Sequence, residues 1–245
     1  MKSRLAIGTA LAATWFLAQP ASAQTNVLAN GSFESGLTGW TSATQLGPGA
    51  AGTCSYNAAT APGTETITSV AGFPAAAGTK IALGSVFSTS DTGALVTCVL
   101  YQDVAIPAGA TVATFTYDIG VKDGNDGGNH TAVQVGIYST SSVPAFEGVP
   151  VVGNAPIYDP ALADTTLQAG SSTVNFNVSS VAGTTVRFAI MNAADFLGGE
   201  VIGIDNVQFL VTSPSVTPAP PAWALGALGL IACGAGLLWM RRRPA

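Results

Sequence analysis

Thr111-Val112-Ala113-Thr114-Phe115-Thr116-Tyr117-Asp118-Ile119-Gly120-Val121 is the stretch that decides the fold. Phe115, Tyr117, Ile119 and Val121 share one parity; Thr114, Thr116 and Asp118 share the other. A period of two is the pattern of a strand with one face buried and one face wet. Pro107-Ala108-Gly109-Ala110 just before it supplies a turn. Strands are predicted upstream over residues 65–70, 80–87 and 95–106. Downstream, residues 131–138, 173–178 and 185–191 alternate in the same way, between loops rich in Gly, Pro, Asp and Ser. Gly, Ala, Ser and Thr dominate residues 41–64, which read as a loop pinned by Cys54. With no useful helical period between the chain's two ends, about eight or nine half-buried strands predict an all-β fold. Its expected form is a jelly-roll β-sandwich of two antiparallel sheets.

The closing strand carries a phase slip. Ile202 and Ile204 lie on one parity, but Val207, Phe209 and Val211 lie on the other. An extra residue at Asp205-Asn206 would reconcile them, so a β-bulge is predicted there.

The two ends are of a different kind. Residues 1–23 open with Lys2 and Arg4, continue as an apolar stretch, and close on Ala21-Ser22-Ala23. This is the pattern of a cleaved secretory signal peptide. After a domain spanning 24–213, residues 214–222 form a Pro-rich linker containing Pro218-Ala219-Pro220. Residues 223–240 are uncharged and apolar, and at about 1.5 Å per residue an 18-residue helix crosses a bilayer core. Arg241, Arg242 and Arg243 follow, so residues 241–245 are expected on the cytoplasmic side.

That tail resembles the PEP-CTERM sorting signal, in which a Pro-Glu-Pro motif precedes a transmembrane helix and an Arg cluster. Ala219 stands where the family usually has Glu. The resemblance implies recognition by an exosortase-like membrane transpeptidase. It also implies delivery to the cell surface or exopolysaccharide matrix of a Gram-negative bacterium, after transient anchoring in the inner membrane.

Five of the eight basic residues lie in the terminal segments, while every acidic residue lies between them. The exported part therefore carries Lys80, Lys122 and Arg187 against 13 carboxylates, or 3 − 13 = −10. A nucleic-acid-binding surface is excluded by that balance. Cys54 and Cys98 are its only cysteines. In an oxidising compartment they are expected to pair, the alternative being two buried thiols. A zinc site has no support, since His130 is the only histidine.

The domain also resembles galactose-binding-like jelly rolls, which include many carbohydrate-binding modules. The likeness rests on Asn30-Gly31-Ser32-Phe33-Glu34 followed by Gly39-Trp40, on the run from Tyr101-Gln102 through Pro107 to Phe115, and on Ile204-Asp205-Asn206-Val207. It implies a structural Ca²⁺ joining the first and last strands, with Glu34 and Asp205 as carboxylate ligands. Hard oxygen donors suit that ion.

Catalytic machinery is not legible. There is no Gly-x-Ser-x-Gly elbow and no Cys–His pair, and no two carboxylates stand out as a glycosidase pair. Trp40 is expected in the core, and Tyr56, Tyr101, Tyr138 and Tyr158 are candidates for stacking on a sugar. Asp123-Gly124-Asn125-Asp126-Gly127-Gly128-Asn129-His130 lacks EF-hand spacing and reads as a hairpin loop. The function expected is a non-enzymatic structural or adhesive protein of the surface or matrix. The alternative is a glycan-binding module with a defined sugar, and behind it a polysaccharide-acting enzyme.

Overall fold

The computed structural model describes residues 23–60, 78–89, 93–123, 131–146, 148–158, 168–194 and 198–213. Residues 1–22 of the predicted signal peptide, the predicted strand over 65–70, residues 124–130 with His130, the linker, the membrane span and the Arg-rich end lie outside them. Among the described residues no helix is long and apolar enough to cross a membrane.

Eleven strands are described: β1 (Ala23–Asn26), β2 (Thr41–Leu46), β3 (Gly52–Thr60), β4 (Lys80–Ser88), β5 (Val96–Ala105), β6 (Val112–Asp123), β7 (Thr131–Tyr138), β8 (Gly153–Tyr158), β9 (Gln168–Asn177), β10 (Thr185–Ala194) and β11 (Gly198–Ser213). They form two antiparallel sheets, ordered β3-β4-β11-β6-β9 and β2-β5-β10-β7-β8. The long strand β11 pairs with β6 on one edge. Its other edge is shared by β4, opposite residues 198–204, and β1, opposite residues 210–213. The fold is an all-β sandwich, as the alternating pattern of residues 111–121 predicts.

The inward residues of β6 set the core. Phe115 stacks on Tyr117 at 4.8 Å between ring centroids and touches Phe188 at 4.9 Å across the sandwich. Phe188 in turn meets Phe209 at 5.0 Å. Each of these three Phe rings is fully buried, so each contributes roughly 1.5–3 kcal/mol of apolar transfer.

The predicted bulge is present. Asp205 pairs with Asp118 and Gln208 with Thr116, so three steps on β11 match two on β6. Asn206 takes φ +49°, the left-handed conformation that Asn tolerates better than most residues. The slip keeps Ile202 and Ile204 buried before it, and Val207, Phe209 and Val211 after it.

One expectation needs correction. Residues 41–64 are not simply a loop, because they contain β2 and β3. Their Thr, Ser, Ala and Gly side chains give little apolar alternation, and pairing with β5 and β4 decides the conformation instead. The disulfide between Cys54 and Cys98 is formed, with Cα atoms 5.4 Å apart, and joins β3 of one sheet to β5 of the other. Closing that loop of 44 residues stabilises the fold by about 4 kcal/mol in the chain-entropy view. Strand β8 has no counterpart among the predicted strands, since Asn154-Ala155-Pro156 carries no apolar period.

Candidate functional site

Two places bear on function: the turn after β1, where the cation ligands are expected, and the outer face of the five-stranded sheet.

The turn is organised by Asn30, which takes φ +50°. Its Nδ2 donates to the carbonyls of Gly36 (2.8 Å) and Thr38 (3.1 Å). Buried Gln102 on β5 clamps the same turn. Its Oε1 accepts from the Ala29 N–H at 2.8 Å, and its Nε2 donates to the carbonyls of Ala29 and Gly39. Trp40 is buried as expected, 5.5 Å from Phe33, and its Nε1 donates to the Asn30 carbonyl. The Asn-Gly-x-Phe-Glu and Gly-Trp elements thus fold into one plug that seals the core.

Glu34 projects from this plug to the start of β4. Its Oε1 accepts the backbone N–H of both Thr79 and Lys80 at 2.7 Å, and Lys80 Nζ donates to the Glu34 carbonyl at 3.1 Å. The Lys80 and Thr79 N–H groups hold the Glu34 carboxyl below its ordinary pKa. Asp205 is fully buried beside the bulge. Glu34 and Asp205, the residues implied as Ca²⁺ ligands, thus stand in different settings, one capping the start of β4 and the other buried at the bulge. Donors already occupy Glu34 Oε1, and an ammonium sits on its carbonyl. Among the described residues no three His, Cys, Asp or Glu side chains gather around a common point.

On the five-stranded sheet, successive residues alternate between the core and the outer face. Asp103, Arg187 and Tyr138 share one outer row, and Tyr101, Ala189 and Gly136 share the next. Arg187 Nε and Nη2 donate to Asp103 Oδ1 (2.7 Å) and Oδ2 (2.8 Å), a two-point fork. The guanidinium carbon lies 4.1 Å from the centroid of the Tyr101 ring. The Asp103 hydrogen bonds push the Arg187 pKa further up, so the group stays charged. Tyr138 lies over Gly136, where a Cβ would meet its ring, and its hydroxyl accepts from Gln134 Nε2 at 2.9 Å. Burial raises the Tyr138 pKa.

The segment between β7 and β8 runs across this face. Val143 and Phe146 pack on Val99, Tyr138, Ala189 and Met191, and Arg187 Nη1 donates to the Ser142 carbonyl at 2.8 Å. What stays open is the rim. The Asp103 side chain is 41% exposed, and Tyr101 is half-buried.

Of the tyrosines named from sequence, Tyr101 alone joins this strip at a partly open position. Tyr56 points into the core, Tyr138 is buried, and the Tyr158 side chain lies outside the described residues. Sequence reasoning missed Arg187 and Asp103, which stand 84 residues apart. Arg187 is the only arginine between the terminal segments, a signal that could have found it.

No family model matches the chain. No curated protein matches it. Solved structures with a similar course of chain include the enzymatically active domain of bacteriophage CBA120 tailspike protein 4, at 14% identity and TM-score 0.40, over 75% of this chain and 21% of that one. A carbohydrate-binding module in complex with β-1,4-galactotriose aligns at 12% identity and TM-score 0.40, over 76% of this chain and 97% of that one. A cyclase from Fischerella sp. TAU aligns at 14% identity and TM-score 0.44, over 80% and 100%. Likenesses this distant, to proteins of such different roles, carry no functional argument.

Proposed function

We propose that this chain is an exported surface or matrix protein whose β-sandwich, a jelly roll, binds glycan at the rim of its five-stranded sheet. The observation that carries the reading is the Tyr101–Arg187–Asp103 strip. Sugars offer adjacent hydroxyls that pair with a carboxylate or guanidinium, and an apolar ring face that stacks on an aromatic side chain. The Arg187–Asp103 fork holds both polar partners in one geometry, so little side-chain freedom is lost on binding. The reading of binding without catalysis draws support from three of the described carboxylates, which are engaged within the fold. Both oxygens of Asp103 accept from Arg187, Glu34 caps the start of β4, and Asp118 accepts from Ser171.

The signal-like residues 1–23 and the tail of residues 217–243 supply the rest of the proposal. An exosortase-like transpeptidase would process the tail near Pro218-Ala219-Pro220 and pass the sandwich to the surface or the exopolysaccharide matrix. Glycan-array binding by the full chain tests the ligand, and localisation of a tail-deleted chain tests the route.

A second reading, a structural matrix protein with no defined sugar, is favoured by the covered centre of that face. Val99, Ala189 and Met191 are fully buried beneath it.

A further inference from the structure

A strand at the end of an open sheet presents unpaired backbone N–H and C=O groups to any strand that fits it. The strand orders of the two sheets end on β3 and β9, and on β2 and β8. Most of these edges are guarded. β2 and β3 close on each other: the disulfide ties β3 across to β5, and Cys54 Sγ lies 3.8 Å from the Ala43 carbonyl of β2. β8 is six residues long, contains Pro156, and slips register against β7 between Val133 and Gln134. β1, beside β11 and off that path, is four residues long.

β9 has none of these guards. Its ten residues, Gln168-Ala169-Gly170-Ser171-Ser172-Thr173-Val174-Asn175-Phe176-Asn177, include no charge and no proline. They pair with β6 along their whole length without a register shift, and among the described residues β6 is the only strand partner. The Val178 N–H donates to the carbonyl of Thr111, the residue before β6, at 3.0 Å. Backbone groups alternate in direction along a strand, so Val174 and Phe176, in step with Val178, turn theirs to β6. Ser171, Thr173, Asn175 and Asn177 turn theirs off the free edge. The side chains of these four are exposed on the outer face, while Phe176 is buried and Val174 packs on the core.

We propose that β9 is a self-association edge, at which a second copy of this chain adds its own β9 antiparallel and joins the two sandwiches through one continuous sheet. Charge selects both the edge and the partner. The exported part sets 13 carboxylates against Lys80, Lys122 and Arg187, so copies repel each other over most of their surface. β9 is a stretch where two copies meet without bringing charged side chains of that strand together. A two-fold axis at Val174 sets Ser171 opposite Asn177 and Thr173 opposite Asn175. These are the residues with free backbone groups, and each opposed pair exchanges two hydrogen bonds, about eight in all. Their hydroxyls and amides also hydrogen-bond across the strands. The edge belongs to the other sheet from the Tyr101–Arg187–Asp103 strip, so the association stands whether or not that strip binds glycan.

The test is sedimentation velocity of the full chain in mild detergent over a range of concentrations. The wild type is expected as a concentration-dependent dimer. T173P deletes a donor that points off the edge and leaves the β6 ladder whole, so it should weaken the dimer at least about tenfold with the melting temperature held. T173D/N175D sets like charges opposite each other across the axis, so it should disrupt the dimer at low salt, and added salt should restore it in part. Both side chains are exposed, and N175D keeps an acceptor for Thr114 Oγ1, so this variant carries the test if T173P fails to fold. A wild type that stays monomeric at its highest soluble concentration overturns the proposal. So does a dimer that either folded variant leaves intact.

Discussion

The Val207 N–H donates to the Gly31 carbonyl at 2.9 Å, and a Cβ on Gly31 would run into the Val207 carbonyl. This contact seats the opening turn directly on the bulge of the last strand. Two motifs that sequence reading takes separately, Asn30-Gly31 and Asp205-Asn206, are therefore one structural element. The glycine is needed for close approach of two backbones rather than for an unusual φ.

G31A is accordingly expected to destabilise the sandwich by about 1–3 kcal/mol, because backbone on one side or the other must move. Thermal melting of the variant against the wild type reads this directly. An unchanged melting temperature would mean that the turn does not bear on β11.

Glu34 gives a pH prediction. Its folded pKa is depressed, chiefly by the Lys80 N–H and then by the Thr79 N–H. The stability it contributes is therefore present above the ordinary carboxylate range and is lost as pH falls through the depressed value. E34Q should melt below the wild type at neutral pH, and the gap should close on acidification. Calcium should shift both proteins alike, because Glu34 serves as a cap on β4. Parallel pH profiles would contradict the cap. A calcium response lost only in E34Q would restore Glu34 as a ligand.

Much of the fold is legible in the sequence where side chains alternate strongly. Residues 112–121, 131–138 and 185–191 all lie in strands, and the parity change at Asp205 is a bulge. Strands β2 and β3 are not legible, because Thr44, Ser55 and Ala58 look the same in a loop as in a sheet held by its neighbours. The site is less legible still. Asp103 and Arg187 meet only through β5–β10 pairing, and no local spacing announces a contact across 84 residues. The buried Asn192 is hidden for another reason. Asn192 continues the inward parity of Val186, Phe188 and Ile190, but a polar residue at that place ends the apolar pattern by which the face is read.

The export route makes its own prediction. Deleting residues 218–245 should move the protein from the surface or membrane fraction to a soluble periplasmic or secreted pool, read by fractionation and immunoblot. Unchanged surface retention would remove the tail from the account.

The central claim is glycan binding at the Tyr101–Asp103–Arg187 rim, and a glycan array with the full chain tests it most directly, with Y101A in parallel. The account expects selective binding by the wild type. In Y101A the affinity should fall by about 1–3 kcal/mol, roughly 5- to 150-fold, with folding retained by circular dichroism. An array with no bound glycan, or binding that Y101A leaves intact, would contradict it and leave the structural matrix reading in its place.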